Sequence, residues 1–138
     1  MRRAAFFFPQ PNIDHSLIPQ AIGATLHVMS FIDTASTRRF SADKMQKLNL
    51  FETPNMFCDI YCLEPGQSQK PHSHADATKF YYVIEGRGAF QLGDRHEPLA
   101  TGGLAFAAPG EIHGVENTSD QRLVLLVAMA PNPNNSRA

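Results

Sequence analysis

The chain has 138 residues, room for one domain of ordinary size, and its 43% hydrophobic and 18% charged residues can bury a core. That balance argues against wholesale disorder. A formal charge of −1, a pI near 6.6 and the lack of a basic stripe argue against a nucleic-acid partner. No apolar stretch approaches the ~20 residues of a membrane span.

The start, Met1-Arg2-Arg3 followed by Ala4, Ala5 and Phe6-Phe7-Phe8, imitates an export signal. Its apolar run of five residues stops at Pro9 and is too short for one, so the chain reads as soluble and cytoplasmic. Up to about Leu50 the pattern is irregular: Pro9, Pro11 and Pro19 break any early helix, and residues 24–29 read as one short strand. Residues 41–48 predict one or two helical turns, with Ser41 as N-cap. We expect residues 1–50 to form an arm packed on a barrel or on a partner, residues 51–131 the barrel itself, and residues 132–138 a flexible tail. Exposed Phe6-Phe7-Phe8 would favour association unless covered, which predicts a homodimer.

From Phe51 onward the chain reads as short strands cut by turns. Residues 56–63 are strand-like and end at Glu64-Pro65-Gly66; residues 80–84 are β-branched and aromatic and stop at Glu85-Gly86. Residues 88–92 run into a Gly93-Asp94 hairpin turn, residues 104–107 into Pro109-Gly110, and residues 122–129 form the most apolar strand, closed by Pro131. This punctuation predicts an all-β sandwich or barrel. Cys58 and Cys62 sit four apart on a strand, roughly 13 Å and far beyond disulfide reach, and read as small packing residues in a reducing compartment.

The chemistry concentrates in histidine. His72 and His74 are two apart, so on an extended chain both imidazoles share a face, and Pro71 favours an extended entry. His113 follows a tight turn at Pro109-Gly110 that can swing it over a neighbouring strand. Three neutral imidazoles suit a divalent transition metal and leave positions free for water or substrate. Spacing alone favours a pair of surface residues over a pair of ligands. His15, His27 and His96 lie in no comparable context, and His96 reads as the exposed tip of a hairpin.

The spacing around these residues resembles the two motifs of the cupin superfamily. The first runs Gly66, five residues, His72-x-His74, four residues, Lys79 where a glutamate is usual, six residues, Gly86. The second runs Gly102, five residues, Ala108 where a proline is usual, Gly110, His113 and Asn117, with Pro109 one place late. Fifteen residues separate Gly86 from Gly102, as in compact members of the family. The resemblance implies an all-β, double-stranded β-helix (jelly-roll) barrel, with one divalent metal (Fe, Zn, Ni or Mn) on His72, His74 and His113. It also implies a small-molecule ligand, and pairing of two chains through their sheets.

Lys79 departs from the pattern. A +2 ion and an ammonium at roughly 5 Å and an effective dielectric near 20 repel by about 6–7 kcal/mol. Three outcomes relieve this: Lys79 loses its proton, turns away to pair with Asp76 or Glu85, or shares the site with an anion. A surface salt bridge at the strand end is the plain alternative. If inward, Lys79 is a candidate general base. Strand alternation puts Tyr81 and Val83 on its face, so Tyr81 is a candidate substrate contact, as is Gln91 through its amide. Asn117 reads as a turn-fixing residue. The expected function is redox (dioxygenase-like) or isomerase chemistry on a small anionic or oxygen-chelating metabolite; the alternative is a non-catalytic binding or sensing module.

Overall fold

The structure, a computed structural model, describes residues 30–135. The chain divides into two compact units, Met1–Ser30 and Phe31–Ala138, and the second carries every strand described below. The short strand expected at residues 24–29 and the Phe6-Phe7-Phe8 cluster lie outside the described residues.

A single helical turn, α1 (Thr34–Thr37), opens this unit, capped by Asp33, whose carboxylate accepts from the Ala35 amide at 3.0 Å. Nine strands follow among the described residues: β1 (Gln46–Glu52), β2 (Phe57–Leu63), β3 (Ser68–His72), β4 (Thr78–Glu85), β5 (Arg87–Leu92), β6 (Arg95–Ala100), β7 (Leu104–Ala107), β8 (His113–Glu116) and β9 (Leu123–Ala130). They form a five-stranded sheet, β1-β2-β9-β4-β7, and a four-stranded sheet, β3-β8-β5-β6, with every neighbouring pair antiparallel. This is the double-stranded β-helix the motifs implied.

The strands expected from β-branched and aromatic runs are present, and Gly93-Asp94 is the two-residue link between β5 and β6, where Leu92 pairs with Arg95. The helix expected at residues 41–48 is not: residues 42–44 bend and β1 begins at Gln46, straddling the expected boundary at residue 50. Gln, Lys, Met and Leu are good helix formers, but pairing with β2 (Lys47 with Tyr61, Leu48 with Ile60) overrides that weak local preference. Past β9, Asn132 is buried and donates to Glu52 Oε1 at 2.8 Å and to the Thr53 carbonyl at 2.9 Å. These bonds tie a 3-10 turn, Pro133–Asn135, to the end of β1.

The core lies between the sheets. Tyr61, Leu63, Tyr81, Val83, Phe90, Val115, Leu123, Leu125 and Val127 pack there, alternate residues of their strands as a half-buried sheet requires. Cys58 and Cys62, both free and buried, alternate with Tyr61 and Leu63 and so lie on the opposite face of β2. Gly86 turns β4 into β5 at φ +85°, where a Cβ would fall 2.3 Å from the Arg122 carbonyl oxygen. Asn117 is the turn-fixing residue expected: fully buried, it donates to Leu63 and Gln121 carbonyls at 3.2 and 2.7 Å and accepts from the Ser119 amide at 3.1 Å. Among the described residues no helix is long and apolar enough to cross a membrane.

Candidate metal centre

His72 closes β3 and His113 opens β8, and the two residues are paired across the antiparallel ladder. Pro71 has no amide to donate, and the register slips between Gln69 and His72; an edge strand tolerates both. His74 lies just past the end of β3, in the loop leading to β4. Its carbonyl accepts the Gly110 amide at 2.8 Å, which fastens that loop to the turn before His113. Gly110 takes φ +80°, a conformation for which glycine is suited, and the Ala108 amide donating to Glu111 Oε2 at 3.0 Å completes the turn.

The three imidazoles converge. One ring nitrogen from each lies within 4.8 Å of the others, and the ring centroids of His72 and His113 are 4.5 Å apart. His72 Nδ1 is 2.9 Å from the Lys70 carbonyl and His113 Nδ1 is 2.9 Å from that of Glu111. A carbonyl can only accept, so each Nδ1 carries the proton and each Nε2 presents a lone pair. His113 is 2% exposed, and among the described residues its Nε2 has no hydrogen-bond partner. A buried acceptor left bare costs about 1–3 kcal/mol, and a metal ion is the partner that a lone pair flanked by two more imidazoles fits. Burial is the main cause that lowers the pKa of all three, that of His113 to about 4, with the positive charge of Lys79 adding to it. They are therefore neutral near pH 7, the ligating form. The residues fit a divalent metal.

Lys79 faces inward. It is 1% exposed, and neither Asp76 nor Glu85 holds it, since Glu85 is paired with Arg38. The surface-salt-bridge alternative is therefore not what the fold adopts: Lys79 alternates with outward Phe80 on a strand whose inner face is core. Its Nζ donates to Gln69 Oε1 at 3.2 Å and stands 4.9 Å from the Tyr81 ring centroid and 5.5 Å from that of Tyr61. Burial, reinforced by Lys47 and opposed by Asp59, pushes its pKa down to about 7.

Gln69 carries no motif that marks it in the sequence, yet it joins the site. Its Oε1 also accepts from the Tyr81 hydroxyl at 2.7 Å, and its Nε2 donates to the Tyr61 hydroxyl at 3.4 Å. One amide thus links β3 of one sheet to β2 and β4 of the other. Tyr81 is fully buried, 6.1 Å between ring centroids from His113, and belongs both to the core and to this network. Gln91 is not brought to the histidines. It alternates with core Phe90 on β5, shares a hollow with Ala89, His96 and Glu116, and donates to the Gly93 carbonyl at 3.0 Å. His96 lies exposed on β6.

A two-sheet β-helix carrying three converging imidazoles defines a class of small barrel proteins with a candidate metal centre. The family profile of the cupin domain matches residues 59–129, and the chain belongs to the cupin family. It is similar to an oxalate-binding protein of Thermotoga maritima, 33% identical over 67 residues, 49% of this chain and 55% of that protein, so it spans about half the length of that relative. Among solved structures, TT1209 from Thermus thermophilus is 40% identical with TM-score 0.74, covering 76% of this chain and all (100%) of that one. A protein described as a predicted oxalate decarboxylase from Thermotoga maritima is 25% identical with TM-score 0.61, covering 64% and 81%.

Proposed function

We propose that this cupin holds one divalent transition metal on His72, His74 and His113 and uses it to bind a small, oxygen-chelating carboxylate, with oxalate the first ligand to try. The observation that carries this is the buried, unpartnered Nε2 of His113 within reach of two further imidazole nitrogens. The metal would act as a Lewis acid towards the chelating oxygens. The names of two similar proteins, an oxalate-binding protein and a predicted oxalate decarboxylase, support the ligand class.

The residues around the triad would do the rest. His72 and His113 are held in one tautomer by backbone carbonyls, so the ligand nitrogens are aimed before metal arrives. Gln69, Tyr61 and Tyr81 hold the Lys79 amine in place. With its pKa near 7, that amine is the group suited to take a proton from a bound hydroxy or carbon acid, in a redox or isomerase-type reaction. A second reading, a binding module without turnover, is favoured by one observation: among the described residues no carboxylate joins the histidine cluster. The chain would work in the cytoplasm, consistent with two free, buried thiols. It would pair as a homodimer; Tyr82, Leu104 and Phe106, which alternate with inward residues on β4 and β7, remain exposed apolar surface available for that.

The test is calorimetric titration of metal-loaded protein with oxalate, followed by prolonged incubation and NMR of the mixture. Saturable binding that disappears in His113→Ala supports the site, and product formation then separates enzyme from binding module. No binding by metal-loaded wild type would refute the proposal.

A further inference from the structure

Two lysine side chains share one aromatic ring of this barrel. Lys47 Nζ stands 5.3 Å from the Tyr61 ring centroid and Lys79 Nζ 5.5 Å from the same centroid. Lys47 lies on β1, directly across from Tyr61 in the ladder, and β1 and β3 are the edge strands of their respective sheets. Gln69 on β3 reaches Tyr61 on β2, so the ring that Lys47 covers is joined to the strand that carries His72. Unlike Lys79, Lys47 is exposed to solvent. It therefore stands on the solvent side of the polar network whose buried end is Lys79.

Among the described residues neither lysine is in a salt bridge: those present are Arg38–Glu85 and Arg122–Glu64. Glu52 and Asp59 line the same small hollow as Lys47, but neither forms a salt bridge with it. Glu52 accepts from Asn132 at 2.8 Å and from Asn134 at 3.3 Å, and Asp59 accepts from Asn49 at 2.9 Å. The positive charge of Lys47 is felt at His72, at His74 and at Lys79. A divalent ion on three neutral imidazoles would keep its full charge, so the loaded site would gather like charges with no carboxylate of the described residues among its ligands. A negatively charged ligand would supply the charge that this ligand set lacks.

We propose that Lys47 is a specificity-determining residue: its ammonium, held over Tyr61 beside Lys79, makes the metal site prefer a dianionic chelator such as oxalate over a monoanionic one. A monoanion of the same bite, such as glycolate, offsets the charge only in part. This inference rests on the proposed metal-dependent binding of a chelating carboxylate and adds the charge that the site selects.

The experiment is calorimetric titration of the zinc-loaded full chain with oxalate and with glycolate, at low and at physiological ionic strength, for wild type, Lys47→Gln and Lys47→Arg. The expected result is a preference for oxalate over glycolate that falls roughly five- to tenfold in Lys47→Gln, with a shallower salt dependence, and that Lys47→Arg restores. The metal-free thermal midpoint should change only slightly, because Lys47 is an exposed edge-strand residue whose contact with the Tyr61 ring is weak at such a site. If Lys47→Gln keeps both the preference and the salt dependence while His113→Ala abolishes binding of both ligands, the role of Lys47 is overturned and the metal site stands. If zinc-loaded wild type binds neither ligand, the chelating-carboxylate reading falls and this inference falls with it.

Discussion

Replacing Lys79 by methionine should stabilise the metal-free protein near pH 6, although it removes a hydrogen-bonded side chain from the core. The folded pKa of about 7 lies well below the ordinary 10.5. The unfolded chain therefore binds a proton that the folded chain resists between those values. Folding bears the whole penalty below pH 7, and the penalty fades as pH rises towards 10.5. At 1.36 kcal/mol per unit, the gap is worth roughly 5 kcal/mol. Against this, Lys79→Met gives up the bond to Gln69, worth about 1 kcal/mol, and contacts with two aromatic rings worth a similar amount. Gln69 Oε1 keeps the Tyr81 hydroxyl as a donor, so no buried acceptor is orphaned. The variant should be more stable by about 3 kcal/mol at pH 6, and the difference should shrink by up to about 1.4 kcal/mol per pH unit between pH 7 and 10. Urea unfolding of chelator-treated protein across that range measures it. Burial also raises the pKa of Cys58 and Cys62, which lowers the stability of both proteins in alkali, so the difference between them is the quantity to follow. A difference that stays constant from pH 6 to 10 would show that Lys79 carries no buried-charge penalty.

Gly110→Ala forces an L-residue into φ +80° and should cost about 1–2 kcal/mol in urea unfolding. Because the Gly110 amide holds the His74 carbonyl, metal affinity in a chelator competition should weaken too. Asn117→Ala leaves the carbonyls of Leu63 and Gln121 without their side-chain donor, and should destabilise by about 2–3 kcal/mol while leaving metal stoichiometry unchanged in the protein that folds.

The sequence was most readable where local chemistry and tertiary structure agree. β2, β4 and β9 are runs rich in β-branched or aromatic residues that stop at a Gly or Pro turn, and the fold uses them as such. The histidines were readable because motif spacing fixes which residues meet at the start of β8 and the end of β3. Residues that act through long-range contacts were not. Gln69 matters because it touches side chains eight and twelve positions away on another sheet, and Pro71 disguised its strand. Lys47 sat in a segment rich in helix formers, and only pairing of β1 with β2 turns it towards Tyr61. Lys79 lay between: alternation put Tyr81 beside it, but only the packed core showed that its face points inward.

Joint metal binding by His72, His74 and His113 is the claim on which the rest depends. Protein purified without an affinity tag, stripped and titrated with zinc against a competing chelator, should take up one equivalent per chain and gain thermal stability, whereas His113→Ala should take up none at the same concentration. Wild type and variant binding metal equally, or neither binding any, would contradict it.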